Sequence, residues 1–198
     1  LPDNAMQILK NVRGDTVLTL KQEQAHDHFI YTLPKIHSLY TNETRARVHG
    51  NDTHKENAYI DFNREPLIPK MLSTEGPKLA VADVNGDGLS DFFMGSAIGD
   101  TARIFVQKKN GSFAEQPQTA FAKDKDCEDV GAVFFDADGD GDQDLVVVSG
   151  GNQYAQGSLN LLPRLYLNNG SGIYTRSIEH WPAISVNASC VRTTDVDG

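Results

Sequence analysis

The sequence lacks a long apolar run, an excess of basic residues and a familiar catalytic motif. Hydrophobic residues make up 39% of the chain, which is enough for a core, but no run is long enough for a transmembrane helix. Basic residues number 18 against 27 acidic ones, and a nucleic-acid interface needs a basic face, so we expect no nucleic-acid partner. No nucleophile elbow, phosphate loop or histidine-based triad occurs, which argues against an enzyme.

Cysteine is also scarce, and the two cysteines leave two alternatives open. Cys127 and Cys190 could form a disulfide if the protein is exported to an oxidising compartment. Otherwise both are free, buried thiols.

Two stretches of the chain share the pattern D-x-[DN]-x-D-G-x-x-D. Residues 83–91 read DVNGDGLSD, and residues 136–144 read DADGDGDQD. A third copy begins with DVDG at residues 195–198. Ca²⁺ takes six to eight oxygen ligands at about 2.3–2.6 Å, and side chains at positions 1, 3, 5 and 9 would supply most of them. The pattern therefore predicts two complete calcium sites and one truncated site; the alternative is that these are acidic turns without an ion.

The predicted ligands combine side-chain oxygens with the backbone carbonyl of position 7. In the first loop they are Asp83, Asn85, Asp87, Leu89 (carbonyl) and Asp91. In the second they are Asp136, Asp138, Asp140, Asp142 (carbonyl) and Asp144. In the third they are Asp195 and Asp197.

The flanks of these loops predict strands and exclude an EF-hand. An EF-hand needs a bidentate Glu at position 12 and helices on both sides. Position 12 is Met94 in the first loop and Val147 in the second. Short runs rich in β-branched residues, such as residues 145–148, are typical of buried strands.

The repeat extends beyond the loops. The loops begin at residues 83, 136 and 195, and Arg103 and Arg164 each open a short apolar run after the first two. An aromatic residue follows each arginine by ten positions, after a turn, and Asn110-Gly111 is a strong hairpin signal. The unit is therefore strand, calcium loop, strand, variable loop, strand, hairpin, strand.

A four-stranded antiparallel unit that repeats every 50–60 residues predicts an all-β fold built from β-propeller blades. A propeller closes with about four to eight blades. The sequence holds roughly two blades and the opening of a third, so we expect a partial propeller from a longer protein.

These motifs resemble the FG-GAP/VCBS repeats of integrin-type β-propellers. The resemblance is carried by residues 78–88, 129–144, 163–168 and 189–192, and it covers about residues 76–198. Residues 1–12 are similar to the end of an ASPIC/UnbV module, as in the cartilage acidic protein family. The resemblance implies three parts: the end of such a module at 1–25, a connector at 26–75, and propeller repeats at 76–198.

The net charge of −9 belongs to the loops. Ten of the 27 acidic residues lie in the three copies of the motif, and without them the net charge would be +1. The acidity therefore says little about partners. Because millimolar calcium outside cells fills modest sites that cytosolic calcium cannot, we expect an extracellular, secreted or cell-surface location, associated with the outer membrane if the source is bacterial.

Two functions of different classes fit these observations. The first is a calcium-binding scaffold for adhesion or for binding an extracellular protein or glycan. The alternative is a calcium-dependent propeller enzyme, a lyase or hydrolase of polysaccharides, in which Arg103 or Arg164 acts beside a carboxylate. The recurrence of both arginines at equivalent positions is what a structural role predicts.

Two further clusters in the connector are weaker candidates. His26 and His28 could contribute to a zinc site, but their spacing to other ligands is not convincing. Asp61, Arg64 and Glu65 could form a catalytic cluster, although solvated loop charges are commoner.

Overall fold

A computed structural model describes residues 5–28, 40–178, 183–194 and 196. The chain divides into two compact units, Leu1–Thr41 and Asn42–Gly198. Within the described residues, no helix has both the length and the apolar character that crossing a bilayer requires.

The first unit has little regular structure. Strands β1 (Ala5–Met6) and β2 (Asp27–His28) pair antiparallel. A 3₁₀ turn at Gln22–Gln24 lies between them. Most described side chains here are exposed.

The second unit contains nearly all of the sheet structure. It begins with helix α1 (Thr44–Arg47) and strand β3 (Val48–His49), followed by a 3₁₀ turn at Asp61–Asn63. The strands of the first repeat are β4 (Leu79–Ala82), β5 (Asp91–Met94), β6 (Arg103–Gln107) and β7 (Phe113–Gln116). Those of the second are β8 (Asp129–Phe135), β9 (Asp144–Ser149), β10 (Arg164–Asn168) and β11 (Tyr174–Ser177). Two further 3₁₀ turns lie at Phe121–Asp124 and Leu159–Leu161.

Each repeat forms one antiparallel sheet in sequence order, as the repeat predicted. The orders are β4-β5-β6-β7 and β8-β9-β10-β11, and β4 and β8 lie side by side. The all-β fold of propeller blades is therefore confirmed. We call these sheets blade 1 and blade 2.

Blade 1 differs from the prediction by carrying a fifth strand. Strand β3, from the predicted connector, pairs parallel with β7, with Val48 opposite Phe113 and His49 opposite Ala114. A two-residue strand in a polar segment leaves no periodicity, so the sequence did not reveal it.

The connections between strands alternate between the two ends of each blade, because neighbouring strands run antiparallel. The Asp-rich loops and the hairpins after β6 and β10 share one end. The connections 95–102 and 150–163 share the other. The connection 150–163 has 14 residues, six more than the 8 of 95–102, so most of the extra length of the second repeat lies there.

A shared core joins the two blades. Its buried members from the first repeat are Ala80, Val84, Phe93, Ala102, Ile104, Val106 and Phe121, and those from the second are Leu145, Val147, Tyr166 and Tyr174. Phe121 meets Phe93 and Tyr166 edge-on, with centroids 5.7 Å and 4.8 Å away. A smaller cluster on the opposite face of blade 2 includes Val146 and Leu165 and is covered in part by Ala188 and Val191.

Candidate metal centre

The two Asp-rich loops need glycine at positions 4 and 6. Gly86 and Gly88 have φ of 71° and 81°, and Gly139 and Gly141 have φ of 81° and 92°. This left-handed region is costly for residues with a Cβ atom. The repeated turns curl the backbone so that the carboxylates of one loop face its own N–H groups.

The aspartate at position 1 organises each loop. Asp83 Oδ2 accepts a hydrogen bond from the Gly88 backbone N–H at 2.7 Å, and its Oδ1 accepts one from that of Asp87 at 3.2 Å. Asp136 accepts from the N–H groups of Gly139 and Gly141, at 2.7 and 3.0 Å. Position 1 therefore closes the turn in both repeats.

The aspartate at position 9 is fully buried and clamps the loop to its blade. Asp91 Oδ2 accepts from the backbone N–H of Val84, and its Oδ1 from that of Gln107 at the end of β6. Asp144 repeats this arrangement, accepting from the N–H groups of Ala137 and Asn168, both at 2.8 Å.

The second loop brings three carboxylates together. Oxygens of Asp136, Asp138 and Asp144 all lie within 4.8 Å of one another. Two oxygens bound to one Ca²⁺ are at most about 5 Å apart, twice the Ca–O distance, so this spacing fits a shared calcium ion. The donors are all hard oxygens, which also suits Ca²⁺.

Repulsion among the carboxylates of the second loop favours the binding of a cation there. Burial, followed by the charges of Asp138 and Asp140, raises the pKa of Asp144. Loss of hydration, followed by the charge of Asp140 and its neighbours, raises the pKa of Asp142. A cation bound among these carboxylates would relieve the repulsion between them.

The first loop is less crowded with charge. It has an Asn where the second loop has Asp138, and Leu89 where the second has Asp142. Burial opposes ionisation of Asp83, but the N–H groups of the loop, led by that of Gly88, lower its pKa. Asn85 and Asp87 each accept one backbone N–H within the loop, from Asp87 and Leu89 respectively.

Some predicted ligands stand apart from the clustered carboxylates or were not observed. Asp140 accepts from the Asp142 N–H, and neither belongs to the three-carboxylate cluster. Asp195 and Asp197 of the predicted third site lie outside the described residues.

The sequence did not identify Asn168 as part of this centre. Its Nδ2 donates to the carbonyls of Val84, at 2.8 Å, and Gln143, at 3.2 Å, so it joins the Asp-rich loops of both repeats. Its Oδ1 accepts from the N–H groups of Asn169 and Gly172. The position at the end of the apolar run before the hairpin is the signal that could have pointed to it.

The two recurrent arginines are buried and paired with carboxylates. Arg164 Nη2 lies 2.5 Å from Asp129 Oδ1, and Asp129 Oδ2 accepts from the Ser96 N–H, so this pair links the blades. Burial alone would lower the pKa of Arg164, but Asp129 raises it. Arg103 lies 2.7 Å from Asp100.

The predicted Asp61, Arg64 and Glu65 cluster separates into different roles. Asp61 is fully buried, and its carboxylate accepts from the N–H groups of Leu72 and Ser73 and from the Ser73 hydroxyl. Arg64 donates to two backbone carbonyls of the β9–β10 connection, while Glu65 is exposed.

Two other predicted features are now placed. Neither alternative for the cysteines is correct: Cys127 is free and buried, whereas Cys190 is free and exposed. His26 and His28 are exposed, and in the described part of the chain they join no cluster of three metal-ligating residues.

Comparison with known proteins agrees with the repeat seen in the structure. A family model described as FG-GAP-like repeat matches residues 83–147 and 136–198, which together exceed half of the chain. Each match begins at the position-1 aspartate of an Asp-rich loop. A search of the curated proteins gave no match.

Proposed function

This chain belongs to the FG-GAP-like repeat family, and from that premise we propose that it is a calcium-binding, secreted or cell-surface scaffold whose propeller blades bind an extracellular protein or glycan. The observation that carries the calcium part is the convergence of Asp136, Asp138 and Asp144 on one point. We also propose that residues 1–25 end an ASPIC/UnbV module and that residues 26–75 connect it to the blades.

The proposed calcium ions have a structural task. Each Asp-rich loop joins the first two strands of its blade, and the position-9 aspartate also binds the third strand. An ion held by Asp136, Asp138 and Asp144 would fix these three strands relative to one another. Millimolar extracellular calcium suffices for a site of this kind, which supports the proposed location.

An enzyme that acts on polysaccharides has less support. Arg103 and Arg164 are 7% and 3% exposed; Arg164 pairs with the buried Asp129, and Arg103 pairs with Asp100, whose side chain is 20% exposed. A catalytic pair has to reach its substrate, and a buried ion pair does not. Both arginines therefore serve the fold in this proposal.

Calorimetric titration and thermal unfolding test the calcium site. Replacement of Asp136 by Ala should lower the melting temperature much more in millimolar Ca²⁺ than in EGTA, where only its hydrogen bonds from Gly139 and Gly141 are lost. Binding to the native state alone stabilises by about 2.7 kcal/mol at 100 times Kd, and loss of a first-position ligand removes most of this term. Mg²⁺ should replace Ca²⁺ poorly because it prefers a smaller, octahedral site.

Asp52→Ala is the matched control, because Asp52 is exposed and lies outside the Asp-rich loops. Its melting temperature should equal that of the wild type in both buffers. A wild-type protein that shows no heat of binding at millimolar Ca²⁺ would contradict the proposal. Equal destabilisation of Asp136→Ala in calcium and in EGTA would assign Asp136 to hydrogen bonding alone.

A further inference from the structure

A second polar site lies at the end of blade 2 opposite the Asp-rich loops. The connection between β9 and β10, residues 150–163, forms a pocket of about 340 Å³ with residues 64–65 and 185–187. This volume lies in the range of ligand-binding pockets. Its lining includes Arg64, Glu65, Asn152, Tyr154, Gln156 and Asn187.

Hydrogen bonds from several segments hold the pocket wall in place. Arg64 Nη1 donates to the carbonyls of Asn152, at 2.7 Å, and Tyr154, at 3.1 Å. The Tyr154 hydroxyl donates to the Asp126 carbonyl at 2.6 Å, and Asn187 Nδ2 donates to the Gly151 carbonyl at 2.8 Å. A wall ordered in this way loses little conformational entropy when a ligand binds.

One buried polar group of this wall remains without a partner in the described structure. Asn152 is only 6% exposed, yet its Nδ2 has no hydrogen-bond acceptor. Buried donors without acceptors are costly, so they usually meet a partner. Gln156 and Glu65 add an exposed amide and an exposed carboxylate.

The charge and chemistry of the pocket select the ligand class. Arg64 and Glu65 balance each other, so the pocket has no net charge to attract an ionic ligand. Amides and a carboxylate pair well with hydroxyl groups, which both donate and accept hydrogen bonds, and the Tyr154 ring adds an apolar surface beside them. A sugar ring presents hydroxyl groups around an apolar face.

We propose that this pocket is the glycan-binding site of the protein and that it takes an uncharged, hydroxyl-rich saccharide unit. The proposal deepens the scaffold function proposed above and rests on it. The blades then have two separate ends: one carries the Asp-rich loops, and the other meets the ligand.

A larger cleft of about 1180 Å³ is a weaker candidate. It lies around residues 42–54 and the hairpin at 110–112. Its arginines are exposed, and Arg47 already pairs with Glu43 at 2.7 Å. Most of its lining is exposed side chain. His54 in this cleft also has an unpaired Nδ1, but its side chain is 12% exposed and its Nε2 lies 2.9 Å from Glu56 Oε1, whereas Asn152 in the pocket at 150–163 is 6% exposed and its Nδ2 is unpaired.

Native affinity electrophoresis tests the proposal with the whole chain in millimolar Ca²⁺. The gels contain one soluble polysaccharide each: amylopectin, laminarin, galactomannan or xyloglucan as neutral probes, and polygalacturonate as an acidic probe. We expect at least one neutral probe to slow the wild type. Gln156→Ala and Glu65→Gln should each weaken the apparent Kd about fivefold, as expected for one lost hydrogen bond.

Matched controls come from exposed residues of the first unit. Gln24→Ala and Glu23→Gln make the same chemical changes at exposed positions and should bind like the wild type. Because Gln156 and Glu65 are exposed, their variants should also keep the wild-type melting temperature, which separates loss of binding from loss of fold.

Each result other than the expected one contradicts a different part of the proposal. Wild-type retardation that the Gln156 and Glu65 variants retain would support a glycan-binding scaffold but place the glycan elsewhere. Retardation by polygalacturonate alone would overturn the uncharged ligand. Retardation by no probe would overturn the glycan pocket, while the calcium titration judges the scaffold proposal independently.

Discussion

Asn168 connects the two repeats through a single side chain. It is 7% exposed, and all four hydrogen-bonding positions of its amide are used, in addition to the bond from its backbone N–H to Asp144. Shortening this side chain leaves buried N–H and C=O groups in both repeats without a partner. Asn168 therefore contributes more to the free energy of unfolding than the size of its side chain suggests, because each buried group left without a hydrogen bond lowers stability separately.

We therefore expect Asn168→Ala to lower the free energy of unfolding by about 2–4 kcal/mol, measured by urea denaturation in calcium. Asn110→Ala is the control, because Asn110 is exposed and its side-chain oxygen accepts only from Ser112 of the same hairpin, while the bond that Arg47 donates to it goes to the backbone carbonyl, which alanine keeps. It should cost less than about 1 kcal/mol. Similar losses in the two variants would show that Asn168 does not join the repeats energetically.

The positions of the Asp-rich loops could be predicted from the sequence because they repeat in register, whereas the role of Asn168 could not. Asp83 and Asp136 begin identical patterns, so their shared role followed from spacing. Asn168 acts on a loop 24 residues earlier and on Val84 in the other repeat. The bonds it receives and makes involve backbone groups, which every residue has and which leave no signature in a sequence.

At the level of elements, strands with strong patterns were predicted and weak ones were not. The apolar runs that begin at Arg103 and Arg164 became β6 and β10, and Asn110-Gly111 became the predicted hairpin. The pocket of residues 150–163 depends on Arg64, which reaches it from about 90 positions earlier. Such a contact depends on tertiary packing, and local sequence does not encode it.

The two Asp-rich loops should differ in their need for calcium. The second has five aspartates within nine residues and the first has three. Without a bound cation, the larger number of negative charges repel one another and destabilise the second loop more than the first. We expect EGTA to speed amide hydrogen exchange more in β8 and β9 than in β4 and β5, measured by mass spectrometry. Equal changes in both pairs of strands would contradict this.

The segment before the first repeat packs against the buried carboxyl of Glu128, the residue just before β8. Glu128 Oε2 accepts from Asn57 Nδ2 and from the Ile98 N–H, both at 3.1 Å. Burial, with the Ile98 bond opposing it and the charges of Glu56 and Asp129 adding to it, raises the pKa of Glu128 to about 7. The ordinary value is 4.5.

This raised pKa makes the fold less stable as pH rises. Between pH 4.5 and about 7 the folded state keeps the Glu128 proton that the unfolded state has released. The contribution of this group is therefore complete below pH 4.5 and lost as pH rises through about 7. We expect Glu128→Gln to stabilise the protein by about 1–3 kcal/mol at pH 8 and to have little effect at pH 5.

Thermal unfolding across this pH range measures the difference. Glu23→Gln, at an exposed position of the first unit, should follow the wild type at every pH. A Glu128→Gln variant that tracks the wild type from pH 5 to pH 8 would show that Glu128 does not hold its proton in the folded state.

At the scale of the whole sheet unit, the blades share one core and should unfold together. Ile104 from blade 1 and Leu145 from blade 2 are both fully buried in it. Ile104→Ala and Leu145→Ala should each cost about 2–5 kcal/mol and shift the same single transition. The unfolding curves of residues 42–198 measured by near-ultraviolet and by far-ultraviolet circular dichroism should coincide. Two separate transitions would mean that each blade is stable alone.

Because the two blades share one core, the inner face of blade 1 stays uncovered during synthesis until blade 2 has been made. Blade 1 is complete when Gln116 is made, but the strands that cover its inner face end at Ser177, 61 residues later. At roughly 5–20 residues per second, translation leaves that face without its partner for roughly 3–12 seconds. During this interval Phe93 and Ile104 lack the blade 2 side chains that bury them, and a nascent chain in this state is a natural client for a chaperone.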